Sequence, residues 1–159
     1  MVQIPKLKRE DSFGLAWLCL SLACTLHIWD EAAHQFLPYY NATVLALYAH
    51  FGGFPRLDME FRTWLGGLLL GNLALLALTP LAFRNARWLR PVGYFIAVVA
   101  FLECLGQVLL TIRGHTSDSV QFEGVSPGFY TAPLLLISSA YLLWSLRKSA
   151  RDRQRLSKG

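Results

Sequence analysis

The stretch from Phe61 to Phe83, FRTWLGGLLLGNLALLALTPLAF, contains a single charged residue, Arg62. A helix built from it has no polar face to turn towards water, so a soluble fold would have to bury it on every side. Three further stretches share this character: about 13–36, about Pro91 to Ile112, and about Phe129 to Leu146. Each is near the ~20 residues with which a helix crosses the hydrocarbon of a bilayer. There the backbone has no water to bond to, so a helix, which satisfies its own amides, is the natural spanning form. Composition agrees: 54% of the 159 residues are hydrophobic and only 16% are charged, against about 25% charged in an ordinary soluble domain. Mean hydropathy is +0.38. The expected fold is all-α: an integral membrane bundle of four transmembrane helices. The window from Pro38 to Met59 holds Tyr39, Tyr40 and Tyr48, then Gly52, Gly53 and Pro55. Aromatic rings favour the headgroup level, so this window reads as an interfacial helix or re-entrant segment between spans one and two.

Basic residues give the expected orientation. Lys6, Lys8 and Arg9 precede span one; Arg84, Arg87 and Arg90 join spans two and three; Arg147, Lys148, Arg151, Arg153, Arg155 and Lys158 follow span four. These are 12 of the 15 Lys and Arg, all on one side, which the positive-inside rule places in the cytoplasm. The chain then divides into a basic N-terminal segment (1–12), a four-helix transmembrane domain (13–147) and a basic tail (148–159), with both termini cytoplasmic. The N-terminus is basic, but no small-residue cleavage site follows Cys24, so the first block is expected to remain as a helix. The net charge of +5 is accounted for by this asymmetry. It calls for membrane lipids, not nucleic acid, as the partner. Cys19, Cys24 and Cys104 all lie in apolar blocks and suggest no disulfide framework. Gly67 and Gly71 form a small-xxx-small pair, which predicts close helix packing and offers a surface for a homo-oligomer.

Against this apolar background the ionisable residues stand out, because charge inside a membrane is costly. Span one ends in LHIWDEAAHQF, where His27 and Glu31, and also Asp30 and His34, are four residues apart. Residues so spaced share a helix face, so the four read as one polar stripe. His27 and Glu31 are its deeper pair; Asp30 and His34 form its outer edge and are expected to matter less. Span three carries Glu103 and Gln107, and span two carries Asn72. At ~1.5 Å per residue, Glu103 and Asn72 each lie roughly 15 Å from the outer ends of their spans, and His27 roughly 20 Å from the inner end of its own. Polar groups from three helices therefore meet at one depth, which predicts a cavity between the helices. No Lys or Arg lies at the depth of Glu103, so His27 or His34 is its expected partner.

Such a set suits proton transfer on a lipophilic substrate, as in an isomerase or cyclase acting on a sterol-, isoprenoid- or quinone-like lipid. His27, Glu31 and Glu103 are the expected catalytic residues, since acid–base work needs groups that give and take protons. Trp29, Asp30, His34, Trp64, Asn72 and Gln107 are the expected substrate-binding residues, with Trp29 and Trp64 able to stabilise a cation by their ring faces. No cofactor is required by this reading. A second reading is a non-catalytic lipid-binding protein, small transporter or assembly subunit. A third is an intramembrane metal-dependent enzyme using His27, Glu31, His34 and Glu103, since imidazole and carboxylate suit zinc or iron.

The motif HIWDE resembles the HxxEE motif of a family of small bacterial four-helix membrane proteins, with Asp in place of the first Glu. LGQVLLTIRG and SPGFYTAPLLL are similar to the same family, whose PGxxTA pattern opens the last helix. At the family's NxxxH position this chain has Glu103 to Gln107, with neither Asn nor His. The resemblance covers spans one, three and four, and implies a four-helix architecture and a bacterial inner membrane. More loosely, the chain resembles the EXPERA group of emopamil-binding sterol isomerases. The points of contact are Trp64 eight residues before Asn72, where that group has an acid, and RWLRP before span three. That likeness implies a bundle with a His and acidic groups facing a lipophilic ligand.

Overall fold

The computed structural model describes residues 11–53, 55–117 and 120–156, so Lys6, Lys8, Arg9 and Lys158 lie outside the described residues. Among these, five helices form: α1 (Asp11–Ala33), α2 (Phe36–Phe51), α3 (Phe61–Phe83), α4 (Leu89–Arg113) and α5 (Ala132–Leu156). Three of them, α1, α3 and α4, are long and apolar enough to cross a membrane. The expectation of four such helices is thus met in three. The apolar part of α5 stops at Arg147 and includes Ser138, Ser139 and Ser145, which lowers its hydropathy. These serines are buried, and Ser139 and Ser145 donate to carbonyls of their own helix, Leu136 O at 2.9 Å and Leu142 O at 2.8 Å. The face of α5 that packs on α1 and α4 does not need the apolarity that lipid demands, while Leu134, Ile137 and Trp144 point outwards. The described residues are mostly helical, as expected, with a small antiparallel hairpin, β1 (His115–Ser117) with β2 (Val120–Gln121), in the connection before α5.

The exposed faces support a membrane setting. Leu22, Leu26 and Trp29 on α1, Leu69, Leu70 and Leu73 on α3, and Phe95, Leu102, Leu109 and Ile112 on α4 all point outwards. A soluble bundle would place polar residues there. The inward faces are small: Ala16, Ala23, Ala82, Ala97, Ala100 and Ala132 are all buried. Lipid tails are as apolar as leucine, so burying leucine against protein gains little here. Close approach and interhelical hydrogen bonds must hold the bundle instead. Larger core residues, Phe13, Trp17, Leu20, Leu142 and Leu146, gather at the end away from the polar stripe. Trp17 also donates from Nε1 to the Leu75 carbonyl at 2.9 Å, tying α1 to α3.

The long helices form a curled row. α1 packs on α3 and on α5, and α5 packs on α4, whereas α3 and α4, though consecutive, scarcely touch. The gap between them is lined by residues of both helices. The window 38–59 forms α2, then a bend at Gly52, and doubles back: Asn41 Nδ2 donates to Met59 O at 2.8 Å, and Met59 N to Asn41 Oδ1 at 3.0 Å. Thr43 bonds Thr116 of the hairpin, and Tyr39 stacks edge-on against Phe122 with ring centroids 4.9 Å apart.

Close helix packing at Gly67 and Gly71 is not found: a Cβ on either would meet no atom within 4 Å. α3 turns another face to α1, and these glycines line the gap. The tight approach is at Gly14, where an added Cβ would sit 2.5 Å from the Phe83 ring and 2.6 Å from its Cα. Because backbone is involved, rotation of Phe83 cannot relieve the contact. Gly14→Val is therefore expected to lower stability by about 1–3 kcal/mol, as overpacking does, and Phe83→Ala to restore only part of it. Thermal unfolding of the purified protein in detergent checks this; full rescue by Phe83→Ala would show that the backbone contact is not limiting.

Candidate functional site

Inside the curl lies a cavity of about 570 Å³. Its apolar wall includes Ile28, Leu68, Leu75, Ile96, Val99 and Leu135, with Phe36, Tyr40, Met59 and Trp64 at one end. Its polar groups are His27, Glu31, Asn72 and Glu103. No Lys or Arg is among the lining residues described.

The polar stripe of α1 divides in the fold. His27 and Glu31 turn to the cavity, where His27 Nε2 lies 3.6 Å from Glu31 Oε1. Glu103 joins them from α4, and one ligating atom from each of the three lies within 4.8 Å of the others. Asp30 turns instead to the loop before α5. It is buried, and its Oδ2 accepts from both the backbone N–H and the hydroxyl of Thr131, each at 2.9 Å. His34, its side chain half exposed, contacts Asp30 Oδ1 at 2.7 Å and the Asp30 carbonyl at 2.9 Å. Asp30 and His34 thus do not line the cavity, contrary to their expected role as substrate-binding residues. The same separation removes His34 from the expected metal-ligand set. Trp29 is also corrected: it is 76% exposed and faces away. Gln107 is fully buried behind the carboxylates and touches them rather than the cavity. Trp64 and Asn72 do line it.

Thr131 carries the logic of the site. Its hydroxyl has one proton. Asp30 Oδ2 at 2.9 Å is a better acceptor for it than the Gly128 carbonyl at 3.3 Å. The Thr131 oxygen then accepts from His27 Nδ1 at 2.9 Å. With the proton on Nδ1, neutral His27 presents a bare lone pair at Nε2. That atom is buried and has no hydrogen-bond partner. Asn72 is fixed in a similar way. Thr25 Oγ1 donates to Ser21 O at 3.0 Å, so it accepts from Asn72 Nδ2 at 2.7 Å. Asn72 Oδ1 is left buried and unpartnered. An unsatisfied buried acceptor costs about 1–3 kcal/mol. Both residues line the same cavity.

The carboxylates are held together from behind. Gln107 Nε2 donates to Glu103 Oε1 at 3.1 Å and to Glu31 Oε1 at 3.3 Å. Gln107 Oε1 accepts from Ser126 Oγ at 2.5 Å, and Ser126 N donates to Thr111 Oγ1 at 3.0 Å. Gly128 lets the loop seat this closely. Its φ is +87°, and an added Cβ would lie 2.9 Å from His27 Cε1, 3.1 Å from Gln107 Nε2 and 3.2 Å from Glu31 Cγ. Thr131, Ser126 and Gly128 are the residues that sequence reasoning gave no role. Their signal was the string SPGFYTA, in which all three stand.

Comparison with family models, with curated proteins and with solved structures finds no match for this chain.

Proposed function

We propose that the chain is a multi-pass membrane protein that takes a lipophilic molecule into this cavity and moves protons on its polar end, as an isomerase or cyclase does. The observation that carries the reading is an apolar chamber whose wall holds two buried, unpartnered acceptors, His27 Nε2 and Asn72 Oδ1. A hydroxyl donor on the guest would satisfy Asn72. His27 Nε2 stands ready to accept a proton, and Glu31 or Glu103 to relay one. Mostly apolar walls with a few convergent polar groups are the usual make-up of a small-molecule site. The gap between α3 and α4 suits entry from the bilayer, and the resemblance to HxxEE and EXPERA proteins points the same way.

In this reading α5 is the fourth span, both termini are cytoplasmic, and the membrane is a bacterial inner one. Single cysteines introduced at Leu45 and Gln121 are then expected to react with an impermeant maleimide from outside intact cells. Labelling of the two from opposite sides would overturn the arrangement.

The central test is mass spectrometry of lipid released from the purified protein. A hydroxylated sterol-, isoprenoid- or quinone-like species near one per chain is expected. Val99→Trp, which narrows the mouth, is expected to reduce it at least about tenfold, the loss of roughly 1.4 kcal/mol. If bulk phospholipid alone is recovered from both proteins, and a fluorescent isoprenoid alcohol binds neither, the proposal fails. Turnover of the recovered lipid separates an enzyme from a non-catalytic binder.

A further inference from the structure

We infer that His27, Glu31 and Glu103 form a binding site for a first-row divalent cation of the zinc class, facing the cavity. The three ligating atoms come from α1 and α4 and already lie within 4.8 Å of one another. A tetrahedral site with bonds of ~2.0–2.1 Å needs ligand atoms roughly 3.3–3.5 Å apart. His27 Nε2 and Glu31 Oε1, at 3.6 Å, are almost there. Glu103, on the open side of the cavity, needs only a side-chain adjustment.

Proximity of acids alone would not carry this. The independent observation is His27, which is 6% exposed and whose Nε2 has no hydrogen-bond partner. That nitrogen is the atom a metal takes, and its tautomer is already set. Metal-bound histidines usually donate their other N–H to an oxygen that fixes the ring. Here Nδ1 meets Thr131 Oγ1 at 2.9 Å, and Thr131 is held in turn by Asp30. The carboxylates have their own support in Gln107, itself held by Ser126.

Charge points the same way. Glu31 and Glu103 share one amide donor, and no Lys or Arg is among the described cavity-lining residues, so the two would repel if both were ionised, as ligands to a metal are. A doubly charged cation balances them. Imidazole with carboxylate selects zinc, iron, cobalt or manganese over magnesium and calcium. Three protein ligands leave a position open, as in catalytic zinc sites, and here it faces the chamber. The cation site deepens the proposed function and depends on it only for what fills that position. With a cation in place, the proton chemistry would pass from His27 to a water at that position.

The experiment is cobalt titration of the full-length protein, purified in detergent and stripped with a chelator. One Co²⁺ per chain is expected, with the visible absorption of a four-coordinate site, displaced by equimolar Zn²⁺. Glu103→Gln is the deciding variant, because Glu103 stands at the open side, outside the packed core. It is expected to weaken cobalt binding at least about a hundredfold, and Thr131→Val, which loosens His27, about tenfold. Binding by the wild type that is unchanged in Glu103→Gln, or no binding in a protein that elutes as a folded species, overturns the site. Val99→Trp is expected to lose lipid and keep cobalt, since Val99 lines the cavity but is not one of the three ligands. Wild type that binds cobalt without lipid fails the lipid reading alone, and wild type that binds lipid without cobalt fails the cation site alone.

Discussion

Gly128→Ala is expected to abolish occupation of the cavity while the protein still inserts. Gly128 holds φ at +87°, a region that costs an L-residue about 1–2 kcal/mol. The larger effect is the collision. The new methyl would stand 2.9 Å from His27 Cε1 and close to both Gln107 and Glu31, so it must push apart the groups that define the site. None of these is the free end of a flexible surface chain; all three residues are buried. Lipid and cobalt binding are each expected to fall by more than tenfold, at least about 1.4 kcal/mol. Gly124→Ala is the control, since Gly124 has φ +118° with no atom within 4 Å of an added Cβ. It carries backbone strain without the collision. Equal loss in the two variants would mean that strain in the loop, not contact with His27, is responsible.

The contrast between these glycines shows what the sequence could and could not reveal. Apolar blocks are legible because hydrocarbon imposes one demand on every outward residue, and α1, α3 and α4 answer it. α5 is harder to read because its packed face carries buried serines, while Leu134, Ile137 and Trp144 face outwards. The meeting of His27, Glu31 and Glu103 was legible from two facts: a four-residue spacing on α1, and a carboxylate in mid-span on α4. The same arithmetic excludes Trp29 from the cavity. At about 100° per residue it lies roughly 200° round the helix from His27, and it faces outwards. Thr131, Ser126 and Gly128 could not be assigned, because their roles arise only when the loop before α5 folds back between α1 and α4. Local spacing says nothing about contacts such as Thr131 with Asp30, which are 101 residues apart. Gly67 and Gly71 show the opposite failure, a local pattern to which the fold gives no partner helix.

Asp30 and His34 are the pair on which sequence and structure disagree most usefully. Spacing alone ranks both below His27 and Glu31, as the wet outer edge of a stripe. In the fold they are unlike each other. Asp30 is 4% exposed, and its Oδ2 takes two hydrogen bonds from Thr131. In Asp30→Asn, the amide oxygen can face Thr131 only if its NH₂ faces His34. Turned the other way, NH₂ meets the Thr131 N–H, two donors in contact. Either choice replaces charge-assisted bonds, worth about 1.5–3 kcal/mol each, with neutral or opposed ones. A loss of about 2–4 kcal/mol in stability is expected, and it should reach the site as well. With a weaker or misplaced acceptor for its hydroxyl, Thr131 holds His27 less firmly to one tautomer, so cobalt binding should weaken by about tenfold. His34→Ala removes a half-exposed ring from the outer side of Asp30. Exposed ion pairs contribute less than about 1 kcal/mol, and besides Asp30 the His34 ring meets Tyr130, with 5.3 Å between ring centroids. Chemical unfolding in detergent, followed by tryptophan fluorescence, ranks the two, and cobalt titration of the same samples reads the link to His27. If Asp30→Asn proves no worse than His34→Ala in both measurements, the Asp30–Thr131–His27 chain does not position the imidazole, and the choice of Nε2 as the free nitrogen loses its support.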